Sequence, residues 1–148
     1  MTTEWSEKDS TTHQDHVIAH VLGATILGYF IHDEALYVLL DIGFIWMIYL
    51  DGEMGLLPHP VAIGELDAGE KRSQIQVDID LLLREGCRAQ GLRQLIRAPV
   101  NCLIEEVSFH ARSDVFRLLI VGQEDGLTVD TSLSSGEIKV IGTLRRHG

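Results

Sequence analysis

The strongest constraint on this fold is a series of short apolar segments, each bounded by a turn signal and each strand-sized. Thr25 to Ile31, Leu36 to Ile42 and Phe44 to Leu50 are rich in β-branched, aromatic and aliphatic residues, and are separated by His32-Asp33-Glu34 and by Gly43. By the two-residue period of a strand, Leu36, Val38, Leu40 and Ile42 share one face. Tyr37, Leu39 and Asp41 share the other. Phe44, Trp46 and Ile48 likewise alternate with Ile45, Met47 and Tyr49, so both faces are largely apolar and both must be covered. His20, His32, Asp33, Glu34 and Asp41 interrupt the stretch from Val17 to Leu50. No unbroken run reaches the roughly 18 to 20 apolar residues of a spanning helix, so the expected environment is not a membrane.

A second set of strand-like segments closes the chain. Cys102 to Phe109, Val115 to Val121, Gly126 to Thr131 and Glu137 to Ile141 are separated by polar turns at 111–114, 123–125 and 133–136. The two halves repeat a unit of strand, polar turn, strand, glycine, strand. Residues 30–36 correspond to 108–115, and Gly43 before Phe44 takes the part of Gly126 before Leu127. The expected fold class is therefore α+β, predominantly antiparallel β. Two β-meanders would form two three-stranded sheets over one core, as a small sandwich or barrel with one or two short helices.

Thr12 with Asp15 three residues on resembles a capping box, which predicts a first helix over 13–22, stopped by Gly23. Asp51-Gly52 reads as a turn, Pro58-His59-Pro60 as an extended stretch, and residues 64–73 as a loop. Ile75, Val77, Ile79, Leu81 and Leu83 alternate with Gln76, Asp78, Asp80 and Leu82, which predicts a half-exposed strand. Leu92, Leu95 and Ile96 predict a second short helix over 88–97, closed by Pro99. The resulting organisation is a flexible tail over 1–12, a single β-rich domain over 13–144 and a flexible tail over 145–148.

The 148 residues are 45% hydrophobic and 23% charged, a composition that supports a packed core and not a disordered chain. The net charge of −10 opposes attraction to nucleic acid. Its distribution is uneven: residues 1–83 hold fourteen acids and three basic residues, whereas residues 84–148 hold eight acids and nine basic residues. Cys87 and Cys102 lack metal-ligand spacing and read as reduced, half-buried thiols. With a polar N-terminus that carries Glu4, Glu7 and Asp9, they point to the cytoplasm.

Each candidate for chemistry has a plainer competitor. His13, His16 and His20 fall on one stripe of the predicted first helix and could hold Zn²⁺, Ni²⁺ or Cu²⁺ with Asp15 or His32, but solvated histidines beside an apolar face need no metal. No metal or other cofactor is expected. Asp78 and Asp80 would share a strand face, the usual solvated side of a strand. Ser108 and His110 also share a face, yet no nucleophile elbow, SxxK, GxGxxG or P-loop accompanies them. The expectation on catalysis leans against an enzyme.

Arg84 and Arg88, and again Arg93 and Arg97, are four residues apart and would present guanidinium groups to an acidic partner or a small anion. Pairing with the acidic first half of the chain is the plainer reading. These features lead to a first expectation of an acidic, non-catalytic binding or interaction module, of adaptor or immunity type, that meets a protein partner through electrostatic steering. The alternative is a small-molecule or metal-binding β-barrel or sandwich, with Tyr29, Phe30, Trp46 or Tyr49 lining a pocket. Uncovered apolar strand edges lead to the expectation of a homodimer.

Overall fold

A computed structural model of the chain describes residues 5–51, 53–64, 66–98 and 102–145. The turn glycine Gly52, the helix-closing Pro99 and most of the C-terminal tail expected at 145–148 lie outside the described residues, as do the first four residues of the N-terminal tail. The described elements are, in chain order, β1 (Ser6–Lys8), α1 (Thr12–Val21), β2 (Ile26–His32), β3 (Ala35–Leu40), β4 (Phe44–Asp51), β5 (Glu53–Pro60), α2 (Lys71–Glu85), β6 (Ile96–Arg97), β7 (Ile104–Arg112), β8 (Val115–Gly122), β9 (Asp125–Ser132) and β10 (Ile138–Arg145). The strands make two antiparallel sheets of five, not of three. Sheet I runs β5-β4-β3-β2-β6, and sheet II runs β1-β7-β8-β9-β10.

The sheets stay open at their edges, which removes the barrel alternative. They face each other across a shared core to which sheet I contributes Leu36, Val38 and Trp46 and sheet II contributes Leu118, Ile120 and Val129. The outer face of sheet I carries Phe30, Tyr37, Leu39 and Ile45, and α2 covers it with Ile75, Ile79 and Leu82. The order of layers is therefore sheet II, sheet I, α2. This explains why β3 is buried along its whole length: one side chain in two meets sheet II and the next meets the helix.

The repeat legible in the sequence is a structural one. Ile26 N–H donates to Cys102 O at 3.0 Å and Ile104 N–H to Ala24 O at 2.8 Å, with Thr25 and Leu103 bridged between them. The same substitution of one half for the other relates the bond from Asp41 N–H to Thr25 O, 3.0 Å, to that from Gln123 N–H to Leu103 O, 2.8 Å. Even the irregularities correspond, since β2 slips register between Ile26 and Gly28 and β7 between Ile104 and Glu106. The halves then exchange their short strands. β1, which precedes the first meander, pairs with the leading strand of the second, and β6, which precedes the second, pairs with the leading strand of the first.

Two elements differ in kind from what the sequence predicted. The segment read as a strand at 75–83 belongs to helix α2, in which Ile75, Asp78, Ile79 and Leu82 are buried while Val77 is 62% exposed. Those buried positions follow the three-and-four spacing of a helix, and Gln, Leu, Arg and Glu favour one. The segment read as a helix at 88–97 is a 3-10 turn at Gly86–Arg88 followed by extended chain and β6. Gly86 and Gly91 both adopt positive φ, which breaks any helix through them.

Helix α1 forms where expected, one residue earlier. Its cap is Thr11 with Gln14 instead of Thr12 with Asp15: Gln14 N–H donates to Thr11 Oγ1 at 3.1 Å, and Gln14 Oε1 accepts from Thr11 N–H at 2.8 Å. The buried Gln14 then turns its Nε2 to Met54 O at 2.6 Å, and His13 Nε2 donates to Leu56 O at 3.1 Å. Met54 and Leu56 present these carbonyls at the outer edge of β5, so α1 closes part of that edge. Pro58 and Pro60 have the same parity, so their missing N–H groups remove no ladder bond. Among the described residues no helix is long and apolar enough to cross a membrane.

Candidate binding surfaces

Among the described residues no helix lies over the outer face of sheet II, and its sequence differs accordingly. Where sheet I presents aromatic and aliphatic side chains to α2, sheet II places Glu7, His110, Arg117, Asp130 and Lys139 opposite one another in a single row, one from each strand. Alternation puts these side chains away from the core. The row is organised around Arg117, whose Nε and Nη2 donate to the two carboxylate oxygens of Asp130 at 2.7 and 2.9 Å. The two side chains are only 23% and 11% exposed. Their forked geometry is the strong form of the arginine–carboxylate interaction, and the hydrogen bonds to Asp130 raise the Arg117 pKa above its usual value.

Trp5 completes the cluster. Its ring lies 4.0 Å from Arg117 Cζ and 4.4 Å from Arg112 Cζ, so one indole from the segment leading into β1 packs on guanidinium groups from both β7 and β8. Nothing in the sequence placed Trp5 there, because the contact depends on the register Ser6 to Ala111. All three residues of β1 are exposed, so cation–π contact is a large share of what holds this strand. Lys8 Nζ over the Phe116 ring at 4.0 Å adds a second such contact on the opposite face. Trp5→Ala is expected to accelerate amide exchange in β1 and at residues 109–111 by roughly tenfold, with little change in β9, in line with the loss of about 1 to 1.5 kcal/mol of local contact. Exchange monitored by NMR or mass spectrometry tests this; equal rates in wild type and variant would show that the backbone ladder alone holds the strand.

Beside the cluster the face sinks into an open cleft of about 390 Å³, bordered by Arg112, Asp130, Ser132, Glu137 and Lys139. Ser108 Oγ and His110 Nε2 are 3.0 Å apart on the same face. That pair has the first contact of a serine nucleophile and its base. Among the described residues, however, no side chain is bonded to the second ring nitrogen of His110, and the amides of Phe109 to Ala111 lie between two paired strands. An oxyanion needs free, convergent N–H donors, and this ladder does not offer them.

The other residues singled out in the sequence separate. His16 and His20 meet edge to face with ring centroids 5.1 Å apart, but His13 is held by Leu56 O and His32 Nε2 lies 2.9 Å from Asp67 O. Asp15 bonds to Ser10. Among the described residues no three His, Cys, Asp or Glu side chains converge as metal ligands would. The aromatic residues expected to line one pocket lie in two cores: Trp46 and Tyr29 between the sheets, and Phe30, stacked on Tyr37 at 4.7 Å, under α2 with Tyr49.

Asp78 and Asp80 do not share a face. Asp80 Oδ1 accepts from Gln76 Nε2 at 3.1 Å at the surface, whereas Asp78 is 1% exposed and its Oδ2 accepts the backbone N–H groups of Arg93, Gln94 and Leu95 at 2.9, 2.6 and 3.0 Å. The side chain thus pins the segment after α2 to the middle of the helix. Arg84, Arg88, Arg93 and Arg97 are all exposed, one at the end of α2, one in the 3-10 turn, one in the pinned segment and one on β6. The second helix expected to present guanidinium groups does not form.

Cys102 is fully buried between the sheets; the side chain of Cys87 lies outside the described residues. Burial, helped by the Asp125 carboxylate, pushes the Cys102 thiol up to about 11 from 9.0. A group that stays protonated in the fold but ionises when unfolded contributes stability fully below its unfolded pKa. The contribution should be present below about pH 9 and disappear as pH rises through about 11. Urea midpoints across that window, compared with those of Cys102→Ala, should show the variant falling less steeply. Compared with protein-family models, curated proteins and solved structures, the chain matches none.

Proposed function

We propose that this protein is a non-catalytic binding module whose contact surface is the open outer face of sheet II. The observation that carries the reading is the difference between two related sheets. One has an apolar outer face covered by its own helix, and the other has a face that no described element covers, on which Trp5, Arg112, Arg117 and Asp130 are already fixed against one another. Trp and Arg are the residue types that dominate interface energetics, and side chains ordered in advance lose little entropy on binding.

The row alternates in sign from Arg117 to Asp130 to Lys139. A single-signed polymer would meet repulsion as often as attraction there. The partner that fits is a folded protein surface carrying both charges, as an adaptor or immunity-type protein would meet. The cleft beside the row favours a second reading, a small polar ligand, which would raise the melting temperature in a thermal-shift screen against metabolites.

Quantitative affinity capture with wild type, Trp5→Ala, Arg117→Ala and Val77→Ser tests the first reading, since Val77 lies exposed on α2 at the far side. A protein retained by wild type and Val77→Ser, lost from the other two and weakened by salt, is the expected result. Equal capture by all four, or none by wild type, would overturn it. The mass of the purified protein in solution, measured alongside, tests the expected homodimer.

A further inference from the structure

We infer that the exposed arginines of residues 84–97 form a second contact surface, on the opposite side of the molecule, that binds a carboxylate-rich peptide segment. The inference rests on where these charges are and on what they lack. Arg84, Arg88, Arg93 and Arg97 stand within fourteen residues that contain one acid, Glu85, in a chain whose net charge is −10. Attraction to the protein's own acids would be the ordinary fate of such groups. Among the described residues, none of the four guanidinium groups has an ion-pair or hydrogen-bond partner.

The contrast with the other arginines is direct. Arg117 is committed to Asp130, Arg112 to Trp5, and Arg72 donates to Gly64 O at 2.9 Å. The four in question are held ready by a backbone that is itself fixed. Asp78 takes three consecutive N–H groups of the segment that bears Arg93, Gln94 Nε2 donates to Gln74 Oε1 at 2.6 Å, and β6 places Arg97 opposite Gly28, on the face of sheet I that α2 covers. Gly28 has no side chain to contend with Arg97, and any Cβ there would press on Leu82 and on the Ile96 carbonyl.

Charge complementarity identifies the occupant. Forked guanidinium groups favour carboxylates or phosphates, but a nucleic acid carries its charge along its whole length and would be repelled by the remaining acidic surface. A short segment of Asp and Glu presents a few charges at the patch and none elsewhere. Val77, 62% exposed in the same shallow depression as Arg93, offers apolar contact for side chains between the acids.

The test uses the full chain and a fluorescein-labelled oligoglutamate peptide at low ionic strength, read by anisotropy. Wild type should bind it, with affinity that falls as salt is added. Arg93→Glu combined with Arg97→Glu should weaken binding by at least about tenfold, and Arg84→Glu combined with Arg88→Glu should weaken it as well. Leu133→Ser, at an exposed turn of sheet II on the other side of the molecule, should leave it unchanged. Because all four side chains are exposed and unpaired, melting temperatures should stay within about 2 °C of wild type. Absence of binding by wild type, full binding by both double variants, or equal displacement of the peptide by an oligothymidylate of matched charge would each overturn the inference.

Discussion

Asp78→Ala is expected to lower the unfolding free energy by about 4 kcal/mol and the melting temperature by roughly 10 °C. The size follows from the number and kind of bonds removed. One buried carboxylate oxygen accepts three backbone N–H groups, none longer than 3.0 Å, and alanine would leave all three without that acceptor at a position that is itself 1% exposed. Asp78→Asn keeps an acceptor oxygen without the charge, so it should lose about half as much. Asp80→Ala, two residues away at the surface, should change stability by less than about 0.5 kcal/mol. Urea unfolding followed by circular dichroism ranks the three. A small effect from Asp78→Ala would mean that the segment after α2 is held by Leu95 packing alone.

Gly126→Ala should be at least as damaging, for a different reason. A Cβ at this position would fall inside the van der Waals radii of Ile120 O and Gly122 N, both backbone atoms of the neighbouring strand. No side-chain rotation relieves such an overlap. We expect a loss above about 3 kcal/mol, with most of the variant insoluble on expression. Gly43, which occupies the corresponding place in the first half by sequence pattern, has φ +88° and open space around its Cβ. There an alanine meets only backbone strain, so Gly43→Ala should lose about 1 kcal/mol. Thermal unfolding of the two variants side by side distinguishes a glycine required for room from one required for conformation.

The central strands were legible because each buries both faces and is bounded by a turn. Asp33 and Glu34 take positive φ at the tip of the first hairpin, and Ser113 does so at the tip of the corresponding one. Helix α2 was misread because Ile75, Val77 and Ile79 satisfy a period of two as well as Ile75, Ile79 and Leu82 satisfy a helix. Residue propensity leans toward the helix, and the packing of α2 on Tyr37 and Leu39 decides between them. β5 was hidden by Pro58 and Pro60, which are tolerable at a sheet edge and nowhere else in a ladder.

The candidate surfaces were less legible than the fold. Arg117 and Asp130 become partners through the register of β8 with β9, and Trp5 reaches Arg117 only by way of β1. Neither relation leaves a local pattern. The arginines of 84–97 were visible as a cluster, but their lack of partners is a property of the folded surface. In the sequence Asp78 stands out only as a neighbour of Asp80, whereas its role lies in three amides from a segment fifteen to seventeen residues away.

The exchange of short strands between the halves bears on how the chain can come apart. A fragment ending after β5 would carry the strand meant for the other sheet and lack the one meant for its own, and its partner fragment would be in the converse position. Neither could satisfy the leading edge of its meander or cover the inner face of its sheet. Cleavage in the connection between β5 and α2 should therefore leave a nicked protein that stays whole, and separately made fragments should acquire structure only when mixed. The structural repeat thus consists of two halves that are alike in plan yet dependent on each other for completion.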